Sequence, residues 1–133
     1  MLRIRAVDGR GRPLPGATLE VAHAAAAARE PGLRGAQVTD PHGYAEFKTV
    51  FPGWSATRTV AVEVALFLAG TVHVGVLAFP ETVIAQVAGL PAYRGNPVAH
   101  SPAEPAGVLH VVPRDRFDLN TGLLATITTT IDR

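Results

Sequence analysis

Short segments of alternating hydrophobic and polar residues run along most of the chain, and turns rich in glycine and proline separate them. Alternation places successive side chains on opposite faces of a strand. The pattern predicts strands over 2–7, 17–23, 44–50, 59–69, 71–79, 108–112 and 123–131. It also predicts a short helix over 81–87, a short helical turn or a loop over 24–28, and a long loop over 89–106. Many short strands of this kind predict an all-β sandwich with one short helix and long loops.

Composition narrows the class of protein. A chain of 133 residues predicts a single domain spanning 1–133. Hydrophobic residues make up 47% and charged residues only 17%, so we expect an apolar pocket, a subunit interface or both. The partner across such an interface would be another copy of the chain or a related chain. The net charge is +1 and the basic residues are scattered, so no nucleic-acid partner is expected.

The chain contains no cysteine, which excludes disulfides, thiolate metal sites and a cysteine nucleophile. No apolar run has the length of a signal peptide core or a membrane span. We therefore expect a cytoplasmic protein that has no contact with membranes.

A more specific signal lies in the segment FPGWSATRTVAVEV, residues 51–64. It resembles the P-G-W-Y-x-G-R-T-x-H-I-H segment of intradiol ring-cleavage dioxygenases. The preceding RGAQVTDPHGYAEFKTV, and LAFPE and LLATITTTID further along, resemble other segments of that family in the same order. The resemblance extends over nearly the whole chain and implies the β-sandwich of these enzymes.

The same resemblance implies that the iron site has been lost. In the family, two tyrosines and two histidines bind non-haem iron(III). The second tyrosine falls at Ser55 and the two histidines fall at Ala61 and Glu63, while Glu30 is nearest by spacing to the first tyrosine. A glutamine beside the iron falls at Val76. One carboxylate beside serine and alanine cannot replace phenolate and imidazole ligands, so we expect no metal, no cofactor and no dioxygenase activity.

Glu63 and Arg58 are the predicted catalytic residues. Alternation places Glu63 on one face of its strand with Ala61 and Ala65, whose small side chains leave room for a ligand. A carboxylate in an apolar cavity can act as general acid or base. Alternatively, this face meets solvent or a neighbouring subunit. Arg58 matches an arginine of the family motif and can bind a ligand oxygen, or it forms a structural ion pair.

The predicted substrate-binding residues are Trp54, Ser55, Ala61, Val76 and Tyr93. Ser55, Ala61 and Val76 are included because they are small or apolar residues at positions where the family has active-site residues. Trp54 forms a pocket wall or part of the core, and Tyr93 closes over a ligand or packs onto the sandwich. The five histidines are spread over different elements, so they are interpreted as surface or core residues.

Three functions remain open. The preferred one is a metal-free, repurposed homologue that binds an apolar aromatic or polyketide-like small molecule. It would catalyse a cofactor-independent acid/base reaction in biosynthesis, such as cyclisation or isomerisation. The alternatives are a non-catalytic partner subunit of an iron-bearing dioxygenase and a small-molecule binding protein without chemistry.

Overall fold

Nine strands and one helix are seen in a computed structural model, which describes residues 1–26, 32–54, 60–96, 105, 107–113 and 122–131. The strands are β1 Leu2–Asp8, β2 Thr18–His23, β3 Leu33–Val38, β4 Tyr44–Phe47, β5 Ala61–Leu68, β6 Thr71–Ala78, β7 Gly107–Val108, β8 His110–Pro113 and β9 Leu123–Ile131. Helix α1 spans Glu81–Ala88 and is followed by a 3₁₀ turn, Pro91–Tyr93.

The strands form two sheets that pack face to face. One sheet has the order β4-β1-β9-β8 and the other the order β3-β2-β5-β6-β7. The pairs β1–β9 and β6–β7 are parallel, and the remaining pairs are antiparallel. The core between the sheets includes Ile4, Leu19, Val62, Leu66 and Leu77. The predicted all-β sandwich with one short helix is confirmed.

Some element boundaries differ from the predicted ones. Strand β3 was not predicted, because it is an edge strand with almost every residue exposed and therefore lacks a buried face. The single strand predicted over 108–112 is split at Leu109. Strand β7 pairs with β6 in one sheet, whereas β8 pairs with β9 in the other. Leu109, at the crossing point, is buried, and its N–H donates to the carbonyl of Ala78.

The turn before β4 explains one of the segments that resemble the dioxygenases. The carboxylate of Asp40 accepts hydrogen bonds from the backbone N–H groups of His42 and Tyr44, both at 2.9 Å. These bonds, that from Tyr44 above all, hold the pKa of Asp40 below its usual value. Gly43 has a φ of +86°, and a β-carbon there would lie 2.5 Å from the carbonyl oxygen of Ala6. The conformation of this turn therefore depends on Asp40 and Gly43.

The Pro-Gly-Trp segment also has a structural reason. The N–H of Gly53 donates to the carbonyl of Ala25 at 3.0 Å. A β-carbon on Gly53 would lie 2.5 Å from that same oxygen and would also collide with Ala26, so only glycine fits. The next residue, Trp54, is 1% exposed. This segment therefore has a structural role in the core.

Candidate functional site

Strand β5 separates two concave spaces, one on each side of its sheet. Val60, Val62 and Leu66 point between the sheets and are at most 2% exposed. Glu63 lies on the opposite face of the strand and is exposed. The predicted alternation along this strand is confirmed, so neighbouring residues of β5 contribute to different spaces.

The first space is a groove of about 610 Å³ on the outer face of the five-stranded sheet, which we call the sheet-face groove. The outward side chains that line it are Glu20, Ala22, Arg34, Ala36, Glu63, Ala65, Val74 and Val76. Its floor is made of alanine and valine side chains, and its charges come from three different strands.

The strand register fixes the relative positions of these charges. Arg34, Ala22, Glu63 and Val76 form one row across four strands. Because neighbouring strands are about 4.8 Å apart, the backbones at Arg34 and Glu63 are separated by about 10 Å, with Ala22 between them. Glu20 is the diagonal neighbour of Glu63, at about 7 Å between β-carbons. A ligand lying on Ala22 would therefore have a carboxylate on one side and a guanidinium on the other.

The second space lies between the two sheets and has a volume of about 480 Å³; we call it the interior cavity. Its lining includes His23, Thr49, Val50, Phe51, Val62, Phe79, Tyr93, Val111 and Leu123. Phe51 and Phe79 are in contact, with ring centroids 4.4 Å apart. This cavity is therefore enclosed mainly by aromatic and aliphatic side chains.

Tyr93 and Trp54 both belong to the interior side of the molecule. Their rings are stacked, with centroids 6.1 Å apart and an interplanar angle of 15°. The hydroxyl of Tyr93 donates to the carbonyl of Phe51 at 2.6 Å. Burial raises the pKa of Tyr93 to about 12, so the phenol is neutral at physiological pH. Trp54 is part of the core cluster, and Tyr93 forms a wall of the cavity.

The structure divides the predicted site residues into two groups. Glu63 and Val76 face each other across β5 and β6 in the groove, and Ala61 lies on the same outer face. Trp54 and Tyr93 lie on the other side of the sheet. Ser55 and Arg58, as well as Glu30 and the predicted start of the strand at Thr59, lie outside the described residues.

Sequence reasoning missed two polar groups. Arg34 lies on the unpredicted strand β3, and its place in the groove follows only from strand pairing. His23 was interpreted as a surface or core histidine. It is 3% exposed, and its Nε2 lies 2.7 Å from the hydroxyl oxygen of Thr49. The signal for its inward position was parity, since Leu19 and Val21 on the same strand are also buried.

Within the described ranges, no cluster of three or more histidine or carboxylate side chains is arranged to hold a metal ion. In the groove, the donors on the described strands are the carboxylates of Glu20 and Glu63. Ala61 offers no ligand atom. This donor set does not fit an iron(III) site built from phenolates and imidazoles. None of the described helices is long and apolar enough to cross a membrane.

Neither protein-family models nor curated proteins match the chain. Solved structures do. An intradiol ring-cleavage dioxygenase from Tetranychus urticae superimposes with a TM-score of 0.82 at 20% identity, covering 98% of this chain and 79% of that one. The dioxygenase domain of a dioxygenase carbohydrate-binding protein fusion from Streptomyces sp. SirexAA-E gives 0.68 at 22% identity, with 98% and 77% covered.

Catechol 1,2-dioxygenase from Acinetobacter sp. ADP1 gives a TM-score of 0.60 at 16% identity, covering 98% of this chain and 50% of that one. The resemblance inferred from the sequence is thus confirmed in three dimensions. The chain has the fold of the intradiol ring-cleavage dioxygenases.

Proposed function

We propose that this protein binds an apolar aromatic or polyketide-like small molecule in the sheet-face groove and acts on it by acid/base chemistry. The observation that carries the proposal is the position of Glu63. It is an exposed carboxylate whose cross-strand neighbours, Ala22 and Val76, are small and apolar. A flat ligand can lie on this floor with its reacting carbon beside the carboxylate.

The proposed chemistry uses side chains alone. Glu63 would take a proton from a carbon of the ligand and return it at another atom, which is the step common to isomerisation and many cyclisations. Negative charge then develops on a ligand oxygen. Arg34, two strands away from Glu63 in the same cross-strand row, can stabilise that charge. Arg58 remains a candidate for the same role from outside the described residues.

The test uses nitrobenzisoxazole, a flat aromatic carbon acid. A base removes the proton from its ring carbon, the N–O bond breaks, and a coloured cyano-nitrophenolate forms. We expect the protein to exceed the rate of an equal concentration of acetate. Glu63→Gln should lower kcat/KM by about 100-fold, the lower end of what a general base contributes.

A matched control is Glu46→Gln, which removes a carboxylate on β4 of the other sheet, where Glu46 pairs with Arg3 at 2.7 Å. This variant should keep the full rate. Full activity in a folded Glu63→Gln protein would refute the catalytic role. Binding of the probe without product formation would instead favour a binding protein without chemistry.

A partner subunit is the second candidate, and exposed valines on the outer face favour it. Val72, Val74 and Val108 are 51%, 79% and 57% exposed. Exposed apolar patches often mark interfaces. This alternative predicts stable co-purification with a related chain that retains the iron ligands. A homo-oligomer that turns over a substrate alone would contradict it.

The cytoplasmic location and the biosynthetic role stay predictions from the sequence.

A further inference from the structure

We propose that the interior cavity is a second binding site, which takes a neutral, apolar aromatic molecule carrying one hydroxyl group. The cavity is separate from the groove assigned to Glu63, because β5 lies between them. Val62 lines the cavity, whereas Glu63, the next residue, lines the groove. The two sites can therefore be disabled independently.

The size and the walls of the cavity define the class of ligand. A volume of about 480 Å³ lies in the range of pockets that hold small molecules. Phe51 contacts Phe79 and meets the edge of Tyr93, with ring centroids 4.4 Å and 6.0 Å apart. An apolar molecule placed there gains the dispersion contacts that an unfilled cavity forgoes. None of the described side chains that line the cavity belongs to Asp, Glu, Lys or Arg, so these side chains favour a neutral ligand. The N-terminal ammonium group of Met1, another lining residue, donates to the carbonyl of Leu123 at 3.1 Å.

A fixed polar pair supplies the anchor for the hydroxyl group. His23 Nδ1–H donates to the carbonyl of Ala24 at 2.7 Å, because a carbonyl oxygen can only accept. In the neutral ring, Nε2 therefore accepts from the Thr49 hydroxyl, also at 2.7 Å. The Thr49 oxygen still has acceptor capacity, so a ligand hydroxyl can donate to it. Because the imidazole is held at both nitrogens, this acceptor is already oriented before a ligand binds.

The cavity opens at one side. Val50 is 47% exposed, and Pro91 and Ala92 at the start of the 3₁₀ turn are also exposed, while all three line the cavity. A ligand can enter between them. Trp54 reports on its arrival, because it is the only tryptophan and stacks on Tyr93 in the cavity wall.

The test compares para-butylphenol with butylbenzene, which differ only by the hydroxyl group. Binding to the full chain is measured by isothermal titration calorimetry, with Trp54 emission as a second readout. We expect the phenol to bind about threefold to tenfold more tightly, the effect of one net hydrogen bond. Thr49→Val should abolish this preference, whereas Thr49→Ser, which keeps the hydroxyl, should retain it. A preference that persists in folded Thr49→Val protein would contradict the anchor.

Blocking variants locate the site even where changes at Thr49 disturb folding. Val50→Phe or Ala92→Phe, at the mouth, should weaken both probes by about tenfold or more. Val72→Phe is the matched control, since it adds the same ring at an exposed valine on the outer face, and it should leave both affinities unchanged. Binding that survives the mouth substitutions but is lost in Val76→Phe would place the probes in the groove and overturn the proposal. Failure of the wild-type protein to bind either probe would also overturn it.

Discussion

The interior cavity and the sheet-face groove are separated by a single strand, yet they are built from different kinds of residue. The cavity has aromatic walls and one hydrogen-bonded pair, His23 and Thr49. The groove has an alanine and valine floor with charges from Glu20, Glu63 and Arg34. We therefore propose binding of a neutral molecule for the cavity and proton transfer for the groove.

The residues that match the dioxygenase segments and the residues that depart from them also lie on different sides of the sheet. Gly43, Gly53 and Trp54 match the family segments, and each has a role in a turn or in the core. Ala61 and Glu63, where iron-binding histidines are implied, lie on the outer face of β5. In the described part of the chain, the matches maintain the fold and these departures change the surface where chemistry would occur. A fold can keep its core residues while the residues of its functional site change.

The sharpest way to break this comparison is to exchange a valine and a carboxylate on each face of β5 in turn. Val62→Asp should lower the free energy of unfolding by about 3 to 5 kcal/mol, because it leaves an unpaired charge among core side chains. Glu63→Val should change it by no more than about 0.5 kcal/mol, since Glu63 is exposed. Urea unfolding followed by Trp54 fluorescence measures both. Equal effects would mean that the two faces are not distinct.

Much of the fold could be predicted because a strand with one buried face shows hydrophobic and polar residues in alternation along the sequence. Strand β9 was predicted with the bounds that the structure has, and β5 was predicted with its inward and outward residues. Strand β3 could not be found this way, because an exposed edge strand has no hydrophobic face to alternate. The break at Leu109 was also hidden, since a strand that changes sheets can remain continuous in its alternation.

The site was less predictable, because its parts meet through pairing and packing. Glu63 and Val76 were proposed together from the resemblance, and strand pairing does place them opposite each other. Arg34 enters the groove only through the pairing of β3 with β2. His23 and Thr49 are 26 positions apart and form no recognisable motif. Local sequence patterns indicate which face of a strand is buried, but they do not indicate contacts between distant elements.

A second substitution sharpens the description of the interior side. Tyr93→Phe removes the hydroxyl that donates to the carbonyl of Phe51 at 2.6 Å but keeps the ring against Trp54. We expect a loss of about 1 to 2 kcal/mol in unfolding free energy at neutral pH, because the half-buried carbonyl of Phe51 loses its donor. Urea unfolding at pH 7 is the measurement. An unchanged free energy would show that this bond contributes nothing to the cavity wall.

The pH dependence of the same variant provides the control. The pKa of Tyr93 is raised from 10.0 to about 12 in the folded protein, so the neutral phenol is favoured by folding. Its contribution is complete below pH 10 and is lost as the pH rises from 10 towards 12. Tyr93→Phe lacks this loss, so the difference between the two proteins should shrink over that range. A constant difference would place the hydroxyl in water.

The smallest expected change in stability concerns exposed valines on the outer face, one in the groove and one beside it. Val72 and Val74 are 51% and 79% exposed, so replacing both by threonine should alter the unfolding free energy by no more than about 0.5 kcal/mol, with β-branching kept. The same double substitution should reduce self-association, because it makes an exposed apolar patch polar. Sedimentation velocity over a series of protein concentrations separates the two effects. Association that is unchanged at every concentration would show that this face does not bury its valines against another copy.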